Sequence, residues 1–138
     1  MHEEYIKEMF NECGVAKLLD IEVTELAEGV AKGRLIVREE HRNVFGGIHG
    51  GILFTFADHI GGACGNTFGR KAVLVESSIH YMRDTSGEKV IYCEARLTHR
   101  GRTIGRIDTK LYAEDGAVIS LTHQIFYIME DEHQAEAG

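Results

Sequence analysis

Residues 41–62 read HRNVFGGIHGGILFTFADHIGG, with six glycines and one carboxylate, Asp58, in an otherwise apolar stretch. An acid in apolar surroundings is costly unless it has a partner or a task, and glycine weakens a helix. Two pieces of chemistry suit the combination. Glycines at a helix start leave open backbone N–H groups where the partial positive charge of the helix gathers, and they let a reacting group come close. Gly50 and Gly51, which follow His49, are the candidate donors. Asp58 can activate water as a general base or attack an electrophile directly.

The elements that must hold these groups can be read along the chain. Tyr5, Ile6, Met9, Phe10 and Cys13 recur at spacings of three and four, which predicts a short amphipathic helix over 2–13 stopped by Gly14. Strands are expected at 21–27 and 30–37 around the turn Glu28-Gly29. The glycine-rich region is expected to be helical over 51–68, with Ile52, Leu53, Phe56, Ala57, Ile60, Ala63, Cys64 and Phe68 recurring at helical spacing. Apolar residues cover most of its surface, as in a helix surrounded by other structure. The period then changes to two. Strands are expected at 74–83, 90–99, 102–113 and 117–128, joined by turns at Ser86-Gly87, His99–Arg102 and Glu114-Asp115-Gly116. In the last strand Ile119, Leu121, Ile125 and Tyr127 form the expected apolar face, interrupted by His123. The polar tail from Glu130 is expected to be disordered.

A strongly curved antiparallel sheet around one long helix accounts for this order, an α+β fold. Gly61, Gly62 and Gly65 would then allow close packing of that helix. The 138 residues suit one domain with an ordered core over about 15–128, a short N-terminal helix and a flexible C-terminal tail. Lys and Arg number 15 against 22 Asp and Glu, a net charge of −7, which argues against a nucleic-acid partner. The three cysteines are far apart and form no CxxC pair, so neither a zinc site nor a disulfide framework is expected. Eight histidines without HxH or HExxH spacing predict no metal. No cofactor is expected. The chain opens on the acidic HEEYIKE and shows no secretory signal, and its least charged run carries Asp58 and two histidines, so a cytoplasmic protein without a membrane helix is expected.

The order of elements, together with the pattern HxN…G…HGG…D in HRNVFGGIHGGILFTFAD, resembles the hotdog-fold acyl-CoA thioesterases, most closely their phenylacetate-pathway (PaaI-like) branch. The resemblance covers roughly 15–128, with looser agreement in SIHYMRD and LTHRGRTIGRID. It departs where the family strand usually ends in proline, since Asp84 stands there. Some members carry a catalytic Ser or Thr at the start of that strand, and Ser77 and Ser78 lie close by.

The resemblance implies hydrolysis of an aryl- or medium-chain acyl-CoA thioester. Gly50 is then the preferred oxyanion donor, with Gly51 beside it on the substrate, and Asp58 the base or nucleophile. Asn43 would position water or bond the thioester, and His49 would hold the loop or orient the carbonyl. Arg100 and Arg102 are the candidates for the coenzyme A phosphates. Phe45, Phe54, Phe56, Tyr81 and Met82 are candidates for an apolar pocket. Asp58 lies eight residues beyond Gly50, about 12 Å along a helix, too far for one carbonyl to meet both. A two-fold homodimer in which Asp58 of one subunit faces Gly50 of the other resolves this, and dimers of dimers are the family's common assembly. Two other readings compete. A hotdog dehydratase or hydratase of 3-hydroxyacyl thioesters is disfavoured by the lack of any proline, and a non-catalytic acyl-CoA-binding protein by Asp58 itself.

Overall fold

The structure, a computed structural model, describes residues 2–130. The expected tail therefore lies almost wholly outside the described residues. The elements run α1 (His2–Asn11), α2 (Gly14–Leu19), β1 (Ile21–Ala27), β2 (Val30–Ile36), a 3-10 turn (Glu39–His41), α3 (Gly50–Gly65), β3 (Ala72–Tyr81), β4 (Val90–Arg100), β5 (Ile104–Tyr112) and β6 (Val118–Ile128). All six strands join one antiparallel sheet in the order β1-β2-β4-β5-β6-β3. Helix α3 touches every strand. Phe56, Ala57, Ile60, Ala63 and Cys64 on it are fully buried against Ile91, Cys93, Ala95, Ile107 and Leu111 of the central strands.

Several boundaries differ from the expected ones. Gly14 does not end the N-terminal helical region but opens α2, after a break at Cys13. Helix α3 begins one residue earlier and stops at Gly65, so Phe68 lies beyond it. Strand β3 ends at Tyr81, two residues short of the expected end.

The larger difference concerns β6. Leu121, Ile125 and Tyr127 point to the outer face of the sheet, where Tyr127 is 41% exposed. The inner face instead presents Ser120, Thr122, Gln124, Phe126 and Ile128 to the core. Alternation is symmetric under a one-residue shift, so the period alone does not say which set faces the core. Packing against α3 decides it, and of the expected apolar face only Ile119 is buried.

The two edges of the sheet are treated differently. At β1 the Asn11 side chain mimics a backbone partner, accepting the Val23 N–H at 2.7 Å and donating to the Val23 carbonyl at 3.1 Å. Among the described residues strand β3 has no such cover along its free edge, and Leu74, Val75, Tyr81 and neighbouring Met82 stand exposed. An open edge bearing apolar side chains is a template for another strand.

Candidate active site

The loop before α3 is built to present its last residues in a fixed pose. His41 is buried, and its Nδ1 accepts the Arg38 N–H. Burial, then the Arg38 charge, holds its pKa below the ordinary value. Asn43 Oδ1 accepts the Phe45 N–H at 2.8 Å, an Asx turn, and the Asn43 N–H reaches the Gly47 carbonyl at 2.7 Å. The loop returns through a bridge between Arg42 and Ile48. The Ile48 N–H then donates to Thr85 Oγ1 at 2.7 Å, tying the loop to the connection between β3 and β4.

His49 is the N-cap of α3, and its Nδ1 accepts the Gly51 N–H at 2.9 Å. That bond requires a lone pair on Nδ1, so the neutral ring carries its proton on Nε2, where it is free to donate. It also separates the two candidate donors. The Gly51 N–H is used by the cap, whereas the Gly50 N–H has no partner among the described residues. Of the two, Gly50 is therefore the one with an open N–H in this structure. Gly50 is further fixed by Tyr81, whose hydroxyl donates to the Gly50 carbonyl at 2.6 Å. The ring crowds the position: a Cβ there would meet Tyr81 atoms at 3.1 Å.

Asp58 is half-buried on α3, and burial raises its pKa above the ordinary carboxylate value, opposed only by the charge of His59. His59 turns to the other side, its Nε2 meeting the Phe10 carbonyl at 3.0 Å and its ring packing on the Phe10 ring. Desolvation lowers the His59 pKa, with the Phe10 bond opposing. Asp58 is therefore a carboxylate with no ion-pair partner among the described residues and a reason to take up a proton.

Other expected residues fall elsewhere. Arg100 stacks on Phe68, its guanidinium carbon 4.3 Å from the ring centre, and Arg102 lies exposed in the following turn. Both belong to the C-terminal end of α3, about 22 Å from Gly50 by helix rise, so one chain does not bring them to the His49–Gly50 end. Phe56 is core rather than pocket wall, whereas Phe45 is 89% exposed at the loop tip and Phe54 is half-buried. The hollow between Phe68, Leu97, Arg100, Ile107 and Phe126 measures about 10 Å³, too small for an acyl group. Ser77 faces inward with a buried, unpartnered hydroxyl. Ser78 faces outward opposite His123, which bonds Asp108 at 2.8 Å. Cys64 is core, its thiol pushed up to about 12 by burial, which removes it as a nucleophile. No three metal-binding side chains cluster among the described residues.

Sequence reasoning missed three contributors: the Tyr81 hydroxyl, Thr85 and Gln124. Each acts on a residue more than thirty positions away along the chain, and no local pattern marks it.

Residues 45–120, more than half of the chain, match the family model of the thioesterase superfamily. The chain belongs to the thioesterase superfamily. A protein of Archaeoglobus fulgidus, provisionally assigned as an esterase, is 36% identical to this thioesterase-superfamily chain over 94 residues. That match covers 67% of this chain and 60% of the Archaeoglobus protein, so the chain spans less than two thirds of that relative. The acyl-coenzyme A thioesterase PaaI of Escherichia coli is 26% identical over 113 residues, 82% of this chain and 81% of PaaI. The E. coli PaaI structure superposes with a TM-score of 0.86 at 23% identity, covering 93% of this chain and 94% of PaaI. A hypothetical thioesterase of Streptococcus pneumoniae, solved with coenzyme A, gives a TM-score of 0.81 at 23% identity over 88% of this chain and 95% of its own. The fold is thus the hotdog fold of PaaI-like thioesterases, as the sequence pattern led us to expect. No helix among the described residues is long and apolar enough to cross a membrane.

Proposed function

We propose that the protein hydrolyses an acyl-CoA thioester to the free acid and coenzyme A, with its active sites built across a homodimer. The observation that carries the reading is the pairing on one helix of an open N–H at Gly50 and a burial-perturbed carboxylate at Asp58. Thioester hydrolysis needs a donor for the developing oxyanion and an oxygen nucleophile, and these groups supply them. The likeness to E. coli PaaI and to the coenzyme A-bound Streptococcus protein supports the substrate class.

In this account the thioester oxygen lies against the Gly50 N–H of one subunit, with the His49 Nε2–H as a second donor. Asp58 of the other subunit removes a proton from water as that water attacks the carbonyl carbon, or itself attacks that carbon; in both routes the C–S bond breaks and coenzyme A leaves as the thiolate, and in the second water then opens the mixed anhydride. Asn43, whose Oδ1 is held by the Phe45 N–H, keeps its amide N–H group for the water or the thioester. The second copy joins along the free β3 edge, where exposed Leu74 and Val75 would be covered. Arg100 and Arg102 then serve the coenzyme A phosphates only if the cofactor-like tail of the substrate extends to the far end of a helix. Aryl and medium-length straight chains are the acyl groups to try first.

The test is release of free thiol from a panel of aryl- and straight-chain acyl-CoAs, comparing wild type with Asp58→Asn. Turnover lost in the variant supports the reading. Binding of acyl-CoA without thiol release by wild type would instead make the protein a binder.

A further inference from the structure

We propose that Gln124 is a positioning residue for Asp58, holding the turn of α3 that carries it; the inference rests on the catalytic reading of Asp58. Gln124 lies on the inner face of β6 and is fully buried. Its Nε2 donates to the Ala57 carbonyl, in the peptide that leads directly into Asp58, at a long 3.4 Å. Its Oε1 has no partner among the described residues. Opposite Gln124 in the β3–β6 ladder, the Ser77 hydroxyl is also buried and unpartnered.

A buried carboxamide with half its bonding unmet is a poor choice for stability alone, because an apolar side chain would fill the space without a desolvation cost. Its counterpart on the helix is equally poor in that sense. Gly61 weakens α3, yet a Cβ there would lie 2.1 Å from Gln124 Oε1. The two positions fit each other: glycine at 61 admits the carboxamide, and the carboxamide spans Ala57 to Gly61, the turn enclosing Asp58. Hydrogen bonds that serve a reaction are often long before substrate binds and tighten in the complex.

The experiment compares thiol release by wild type, Gln124→Met, Gly61→Ala and the double variant, with Asp58→Asn in the same assay. Methionine keeps the length and bulk of Gln124 and removes the carboxamide. We expect kcat to fall roughly tenfold or more with KM held within about twofold, as for a misplaced catalytic group. Gly61→Ala displaces the carboxamide and should give the same split, and the double variant should be no slower than the slower single one. Should Gln124→Met yield too little folded protein, Gly61→Ala alone decides by the same criterion. Wild-type kcat in the folded variants, or a raised KM at unchanged kcat, would overturn the inference while an inactive Asp58→Asn leaves the catalytic reading standing. An active Asp58→Asn overturns both.

Discussion

His49 Nδ1 accepts the Gly51 N–H and thereby leaves Gly50 as the first open donor of α3. One cap thus decides which of two adjacent glycines keeps an open N–H. The same bond sets the histidine tautomer, turning Nε2–H outward. Replacing His49 by alanine should lower kcat and cost about 1 kcal/mol of stability through the lost cap. Replacement by asparagine, another good capping residue, should recover stability without recovering kcat. Chemical denaturation beside thiol-release kinetics separates the two effects.

Asp58→Asn should reduce kcat by about 10²- to 10⁴-fold, the usual range for removing a general base. It should also make the protein more stable at neutral pH. Burial raises the folded-state pKa of Asp58 above the ordinary 3.8. The folded chain therefore holds that proton to higher pH than the unfolded chain. Stability from the neutral acid is full below the unfolded value and is lost as pH rises through the folded one. Asparagine never ionises, so the variant should melt above wild type at pH 7.

The buried histidines carry the opposite sign. The pKa values of His41 and His59 both lie below 6.5, mainly through desolvation. The stability they contribute is present above 6.5 and is lost as pH falls toward the folded values. Melting temperature should decline through this acid range. His59→Gln, which keeps a hydrogen-bonding group near the Phe10 carbonyl, should flatten part of the decline.

Much of the chemistry was legible because it is local. Gly50, Gly51 and Asp58 share one helix, and His49 caps it, so their spacing alone related them. The strands of β4 and β5 were also legible, since Ile91, Cys93, Ala95, Ile107 and Leu111 alternate with charged residues and are all buried. Strand β6 was not. Of its expected apolar set, Leu121, Ile125 and Tyr127 lie on the outer face and Ile119 alone is buried, while Gln124 is fully buried. Which face is inner depends on what α3 offers opposite it, here Gly61. Tyr81 was legible only as a pocket candidate; its hydroxyl bond and Thr85 escaped because their partners Gly50 and Ile48 lie more than thirty residues away.

Crowding at Gly50 gives a further expectation. A methyl group there would meet Tyr81 at 3.1 Å, so Gly50→Ala must shift either the ring or the helix start. We expect kcat to fall about tenfold or more. Tyr81→Phe in the same background should relieve little, because ring carbon as well as hydroxyl is in contact. The single Tyr81→Phe variant should lose about 1 kcal/mol, the net worth of one hydrogen bond.

The free edge of β3 makes assembly testable. Val75 stands 61% exposed at an irregularity in the β3–β6 register. Lysine there should disfavour strand pairing between copies. Val75→Lys is expected to sediment as a monomer with its far-ultraviolet circular dichroism retained, and to release no thiol.

The central claim is that each active site takes Asp58 from one subunit and the loop from the other. Subunit mixing tests it most directly. Asp58→Asn and the combined Asn43→Ala/His49→Ala variant, each inactive alone, are unfolded together in equal amounts and refolded. Mixed dimers would then hold one doubly damaged site and one intact site, and activity should return to about a quarter of wild type for random pairing. If mixed dimers form, as native mass spectrometry would establish, and activity stays at the level of the separate variants, the site lies within one chain and the account is wrong.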